Sequence, residues 1–167
     1  EQMGFTPEAT DSVEVTSGHE KQTRPVVIVG AGASGLALGY RLQKMGINYI
    51  TVERNTEVGG TWFENTYPGC AVDTPNHAYS YSFGNRYSWS RNFSPRSEIQ
   101  DYLECISEEL DLRQAIRFET RVTAAFWDQE KSCWQVTLST NDGEERLEAM
   151  AVVSAIGQLS QVSMPSL

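Results

Sequence analysis

Val26-Val27-Ile28-Val29-Gly30-Ala31-Gly32-Ala33-Ser34-Gly35 is the stretch on which the fold turns. Four consecutive apolar residues between Pro25 and Gly30 predict a strand buried on both faces, as in a parallel sheet. Beyond the glycines a helix is predicted from about Ser34 to Met45, with Leu38, Leu42 and Met45 on one stripe at i, i+4 and i+7. Gly46 then stands where a helix C-terminus favours a left-handed residue. A second strand follows over Asn48 to Glu53, which completes a βαβ unit. In such a unit Gly30, Gly32 and Gly35 have separate tasks. The first permits the tight turn, the second lets a pyrophosphate reach the backbone, and the third lets helix and strand pack closely. The helix N-terminus offers free N–H groups and a partial positive charge to phosphates. Glu53, 18 residues after Gly35, can accept hydrogen bonds from ribose hydroxyls. Dinucleotide binding is the reading. Its rival is a glycine turn that only shapes the backbone, with Glu53 as a solvated strand end.

Working outward, residues 54 to 93 hold Gly, Pro, Asn and Ser with little helical period, yet they include Trp62, Phe63, Tyr67, Tyr79, Tyr81, Phe83, Tyr87, Trp89 and Phe93. So long a loop region in a folded domain is functional or disordered, and the aromatic content argues for packing. Ser94 and Pro95 suit an N-cap and a first helical position. Ile99, Tyr102, Leu103, Ile106 and Leu110 continue at helical spacing. A short strand is predicted at Ile116 to Glu119. An antiparallel three-stranded meander follows, through Val122–Phe126, Trp134–Leu138 and Leu147–Ala149, with its turn at Asn141-Asp142-Gly143. Ala151 to Ile156, before Gly157, has the pattern of another buried strand. The fold class is α/β, a Rossmann-like domain with a parallel sheet and an antiparallel meander.

Composition narrows the function classes. The 167 residues are 40% hydrophobic and 21% charged, enough for one domain with a core. With 22 acidic against 13 basic residues, the net charge of -9 argues against nucleic-acid binding, which needs clustered Lys and Arg. The sequence has no apolar run of about 18 residues and no secretory signal pattern, so a cytoplasmic protein that does not span a membrane is expected. Cys70, Cys105 and Cys133 lack metal spacing, and His19 and His77 lie far apart, so no metal site is expected. Residues 1–23 read as a flexible tail or upstream linker, and residues 24–167 as the domain.

The second glycine cluster is more specific. It reads Gly59-Gly60-Thr61-Trp62-Phe63-Glu64-Asn65-Thr66-Tyr67-Pro68-Gly69-Cys70-Ala71-Val72-Asp73. Glycines just beyond the ribose-binding acid allow a close backbone approach to a ligand longer than its phosphates, which suits FAD. The stretch resembles the [A/G]GxWxxxx[F/Y]P[G/M]xxxD signature of type I Baeyer–Villiger monooxygenases, and every fixed position matches. The wording around Glu64–Cys70, Pro75-Asn76-His77 and Tyr79–Phe83 looks most like the 4-hydroxyacetophenone monooxygenase branch. The resemblance covers about residues 25 to 165.

It implies a FAD- and NADPH-dependent enzyme that inserts one oxygen atom of O2 beside a ketone carbonyl to give an ester or lactone. By the same resemblance, Gly30, Gly32, Ser34 and Gly35 would cradle the FAD pyrophosphate and Glu53 would hold the ribose. Gly60, Thr61 and Trp62 would run beside the ribityl chain and flavin, and Tyr79 would touch the ring. Val122 would meet adenine through its backbone, and Gln158 would approach the cofactor again. Asp73 would lie near the flavin's reacting edge as the catalytic residue of this chain, paired with an arginine from elsewhere in the enzyme.

Each role has a plainer rival. Trp62 and Tyr79 could be core aromatics, Asp73-Thr74-Pro75 a turn, Cys70 a small buried residue and His77 a loop hydrogen-bonder. Two positions depart from the family pattern. Ala71 replaces a common basic residue, which puts its contacts to the nicotinamide cofactor in doubt. Ser154-Ala155-Ile156 replaces the usual Ala-Thr-Gly. The second family fingerprint, FxGxxxHxxxW, and a second GxGxxG are absent, so an N-terminal part of a longer enzyme is expected. An N- or S-oxidising flavin monooxygenase and a FAD-binding remnant without oxygenase activity are the alternatives.

Overall fold

The computed structural model describes residues 24–84, 87–158, 160 and 165; the tail expected at residues 1–23 lies outside them. Strand β1 (Val26–Val29), helix α1 (Ala33–Lys44) and strand β2 (Tyr49–Val52) form the βαβ unit, with Val26 paired to Tyr49 and Val29 to Val52 in parallel. Gly46, at φ +66°, lets the chain leave α1, and Ile47 N–H donates back to the Leu42 carbonyl at 3.0 Å.

A short helix α2 (Thr61–Glu64) interrupts the long loop, and α3 (Arg96–Glu109) follows it. After a 3-10 turn (Leu112–Ala115) come β3 (Ile116–Arg117), β4 (Arg121–Asp128), β5 (Cys133–Thr140), β6 (Gly143–Ala149) and β7 (Ala151–Ser154). The parallel sheet has the order β3-β2-β1-β7, and β4-β5-β6 form the antiparallel meander. The fold class expected from the sequence is the one observed.

The parallel sheet has a different partner on each face. Val27 and Val52 pack with Val136, Leu138 and Ala149 of the meander. The helical side holds the larger core, built from Leu36, Val58, Trp62, Val72, Ile99, Tyr102, Leu103, Ile106 and Leu112. The aromatics of the long loop pack there too. Tyr87 and Trp89 lie against Tyr102 at centroid distances of 5.3 and 5.0 Å, and Tyr81 stacks on Phe83, which stacks on Tyr40 of α1.

Five local expectations are corrected. The buried residues of α1 are Gly35, Leu36 and Gly39, whereas Met45 is 53% exposed. The glycines bring the helix so close to the strands that they choose its inner face: a Cβ on Gly35 would lie 1.9 Å from the Gly30 carbonyl oxygen. Helix α3 starts one residue later than expected, because Pro95 has extended backbone (ψ 161°) and is itself the N-cap. Strand β3 spans only two residues, since Glu119 turns the chain with φ +51°. Strand β7 is an edge of the described sheet, with Val153 exposed, and is not covered on both sides. At the hairpin only Gly143 uses positive φ (+128°), and Asn141 and Asp142 do not.

Candidate functional site

A groove of about 370 Å³ opens at the carboxyl ends of β1, β2 and β7, where open α/β sheets bind ligands. Its floor is Val29–Gly30, Val52–Glu53 and Ala155–Gly157. Gly32, Ala33 and Ser34 form one wall, Gly59–Trp62 and Tyr79 another, and Thr120 with Arg121 and Val122 of β4 the third.

The first wall is the start of α1. Gly32 is its N-cap, no side chain caps the helix, and the first turn has no acidic residue. The first N–H groups therefore keep their donor capacity for an anion in the groove. The three glycines divide their work. A Cβ on Gly30 would lie 2.7 Å from the Ala155 carbonyl oxygen and one on Gly35 would strike Gly30, so both are required by the protein's own packing. A Cβ on Gly32 would have nothing nearer than Gly60 Cα at 3.6 Å. Gly32 and Gly60 thus meet backbone to backbone and leave a surface free of side chains, a cradle that any Cβ would fill.

Glu53 is 4% exposed and follows β2 directly. One carboxylate oxygen accepts from Ala31 N–H at 2.7 Å and the other from Asn55 N–H at 2.9 Å. A carboxylate has about four lone-pair sites, so these bonds orient Glu53 and leave acceptor capacity toward the groove. Arg54, which also lines the groove, donates to Glu64 at 2.5 Å, with Asn55 Nδ2 on the same oxygen at 2.9 Å. Burial alone would raise the Glu64 carboxyl, but the hydrogen bonds from Asn55 and Arg54 outweigh it and hold its pKa below the ordinary value.

Trp62 is buried, and its indole N–H donates to the Tyr79 hydroxyl at 3.1 Å, with the rings edge-to-face at 5.6 Å. Arg96 of α3 fixes this short helix by donating to the carbonyls of Trp62 and, at 2.8 Å, Phe63. Two positions later in the loop, the Tyr81 hydroxyl donates to the Ala33 carbonyl at 2.6 Å. Burial, and then the neighbouring Tyr102 and Tyr79, push the Tyr81 hydroxyl far above its ordinary pKa, so it stays a donor.

Of the residues singled out in the sequence, Gly30, Gly32, Ser34, Glu53, Gly60, Thr61, Trp62, Tyr79 and Val122 come together around the groove. Gly35 is buried behind it. Asp73 and Gln158 are exposed and do not line it. Among the described contacts Asp73 accepts only from its neighbour Thr74, at 3.4 Å. Gln158 follows the lining residue Gly157. Sequence reading did not single out Arg54, Thr120, Arg121 or Ile156 as lining residues, nor Arg96 and Gln100 behind the wall. Thr120 and Arg121 could have been suspected as neighbours of Val122; Arg96 and Gln100 carried no signal. Among the described residues no His, Cys, Asp and Glu cluster could hold a metal ion.

A family profile described as an NAD(P)-binding Rossmann-like domain matches residues 28–94. A protein named Baeyer-Villiger monooxygenase from Streptomyces coelicolor is 41% identical over 143 residues, which are 85% of this chain and 27% of that protein. A 2-oxo-Delta(3)-4,5,5-trimethylcyclopentenylacetyl-CoA monooxygenase from Pseudomonas putida is 36% identical over 84% of the chain and 26% of its own length. Among solved structures, OTEMO in complex with FAD and NADP superposes with a TM-score of 0.80 at 35% identity, over 87% of this chain and 27% of that one. An oxidized steroid monooxygenase bound to NADP gives 0.79 at 37% identity, over 86% and 28%. The chain spans about a quarter of the length of these relatives.

Proposed function

We propose that this chain, a member of the type I Baeyer–Villiger monooxygenase family, is the FAD-binding part of a longer NADPH-dependent monooxygenase that acts on a ketone. The observation that carries the reading is the groove itself. An uncapped helix end faces it from one side and a buried, oriented carboxylate from the other, with a side-chain-free backbone surface between Gly32 and Gly60. That donor and acceptor set fits the pyrophosphate and ribose of a dinucleotide. Relatives solved with FAD and NADP support the choice of cofactors.

In this reading the N–H groups at the start of α1 hold the pyrophosphate and Glu53 accepts from the ribose hydroxyls. Thr61, Trp62 and Tyr79 line the flavin end, where the apolar ring of Trp62 excludes water. Val122 offers its backbone to adenine. FAD held there would supply the redox chemistry that couples oxidation of NADPH to insertion of one oxygen atom of O2 beside a ketone carbonyl, giving an ester or lactone with the other oxygen leaving as water. Asp73 acts from outside the groove wall on an arginine supplied elsewhere in the enzyme, and Gln158 borders the cofactor beyond Gly157. Three free thiols fit a cytoplasmic setting, and among the described residues no helix is long and apolar enough to cross a membrane.

The test uses the full-length protein that carries this chain. Flavin that copurifies, and an ester formed from NADPH, O2 and a ketone, are the expected results. A sulfoxide from a thioether with no ester from any ketone would favour an N- or S-oxidising enzyme. Absence of bound flavin would overturn the FAD assignment.

A further inference from the structure

Gln100 lies in the middle of α3, is 4% exposed, and has no place in the groove lining. Its carboxamide nitrogen uses both N–H bonds. One goes to the Val58 carbonyl at 2.8 Å and the other to the Glu104 carboxylate at 2.7 Å. Those two acceptors fix which end of the amide is nitrogen, because the opposite orientation would set oxygen against oxygen twice. The carbonyl end is therefore directed as well, yet among the described residues Gln100 Oε1 is buried and accepts no hydrogen bond. A buried acceptor without a partner is costly, and its position calls for a reason.

That position is the Cα of Gly59. A Cβ on Gly59 would lie 2.1 Å from Gln100 Oε1, 2.9 Å from its amide carbon and 3.0 Å from its nitrogen. The Cβ position thus lies in the amide plane beside the oxygen, so the carbonyl edge of Gln100 meets this glycine, where a Cα–H···O contact is the one available to Oε1. On its other side Gly59 N–H donates to the Ala31 carbonyl at 3.1 Å, inside the first glycine turn. The next residue, Gly60, has its Cβ position 3.2 Å from Gly32 Cα. Gln100, Gly59–Gly60 and Ala31–Gly32 are thus three layers in direct contact, and the innermost faces the groove.

We infer that Gln100 is a positioning residue for the cofactor groove: it grips Val58 and presses the Gly59–Gly60 turn onto the first glycine turn. The inference rests on the FAD reading for its ligand and on the contacts alone for its geometry. It makes residues 59 and 100 a coupled pair, since the space above Gly59 is taken by an amide that has no other use for its oxygen.

The experiment uses the full-length protein. Gln100→Met keeps the length of the side chain but removes the bond to Val58, and FAD should dissociate roughly tenfold more readily, the cost of stranding one buried carbonyl. Flavin fluorescence and visible circular dichroism of the bound fraction should change with it. Ile106→Val trims the same helix away from the glycine turn and should leave FAD affinity within about twofold while lowering the apoprotein's melting temperature. Gly59→Ala carries the strain of φ +120° in either background, but the cost of its clash with the amide should be relieved in Gln100→Ala, so it should lower the melting temperature less there than in the wild type. Additive effects of those two substitutions, or FAD affinity unchanged in Gln100→Met, would overturn the inference. If neither alanine variant folds, Gln100→Met decides. Wild-type protein that holds no FAD would overturn the functional reading instead, and the coupling between residues 59 and 100 in thermal stability would still be read.

Discussion

The two glycine turns that meet at the groove, Gly30–Gly35 and Gly59–Gly60, are held by different means. The first is fixed from within. Strand β1 pairs on both sides, Gly30 N–H donates to the Val52 carbonyl at 2.8 Å, and α1 begins at once beyond the turn. The second is fixed from far along the chain. Gln100 holds Val58, Arg96 holds the carbonyls of α2, and Arg113 pairs with Glu57 at 2.5 Å while lying over Phe118. The first turn is therefore backbone geometry that a short sequence can specify. The second is a loop pressed into place by side chains of a helix that follows it by more than thirty residues. Trp62 with Tyr79, and Tyr81 with Ala33, tie the two together.

That contrast can be broken or sharpened, beginning with the largest effect. Gly35→Ala sets a Cβ 1.9 Å from a backbone oxygen that cannot swing aside, and a loss of about 3 kcal/mol or more is expected. Urea unfolding would measure it, and a wild-type midpoint would show that the first turn is not rigid. Glu53→Ala comes next. It strips Ala31 and Asn55 N–H of their acceptor at about 1–3 kcal/mol each and should cost FAD retention on purification.

Tyr81→Phe removes only the tie between the loop and α1. About 1 kcal/mol is expected in thermal unfolding, with weaker FAD binding as the second readout. Asp73→Ala should stay within about 0.5 kcal/mol, because the side chain is exposed and bonded only to its neighbour. FAD should remain bound while oxygenation slows, and loss of flavin would move Asp73 into the cradle.

The smallest effect is a control in the meander, remote from both turns. Hydrogen bonds from Gln135, then Lys131 and Arg24, lower the Glu148 carboxyl to about 2. A folded-state value below the ordinary 4.5 means that this contribution is present above pH 4.5 and fades as the pH falls toward 2. The side chain is half-buried at the edge of the meander and its charge is screened by solvent, so the effect on stability is slight, and a carbon NMR titration of Glu148 would give the midpoint directly. A midpoint near 4.5 would dissolve the cluster.

Where the sequence could be read, short local segments carried the signal. Val26–Gly35 and Tyr49–Glu53 hold strand, turn, helix and strand in order, and the meander shows its alternation and its Asn-Asp-Gly turn. The reading of α1 failed on its buried face. Periodicity favoured Leu38, Leu42 and Met45, but close approach at Gly35 and Gly39 set the orientation, with a Gly39 Cβ position only 3.2 Å from the Tyr49 ring. Hydrophobic pattern weighs area and is blind to how near a glycine lets two backbones come. Asp73 shows the same limit in the site. It belongs to the same sequence signature as Trp62, yet Val72 N–H donates to Ser94 and Asn76 N–H to Asn92, and these long-range bonds carry the segment around the outside of the wall.

Sequence by itself determined the α/β class, the first glycine turn, the carboxylate that follows β2 and the second glycine cluster, because each depends on residues close together in the chain. Tertiary structure alone decided that Glu53 would be oriented by Ala31 and Asn55, that Tyr81 would reach Ala33, and that Gln100 would set its carbonyl oxygen against Gly59. Those contacts join residues up to 48 positions apart. They exist only once burial of the helical core has set α3 and the loop against the sheet, which no local pattern encodes.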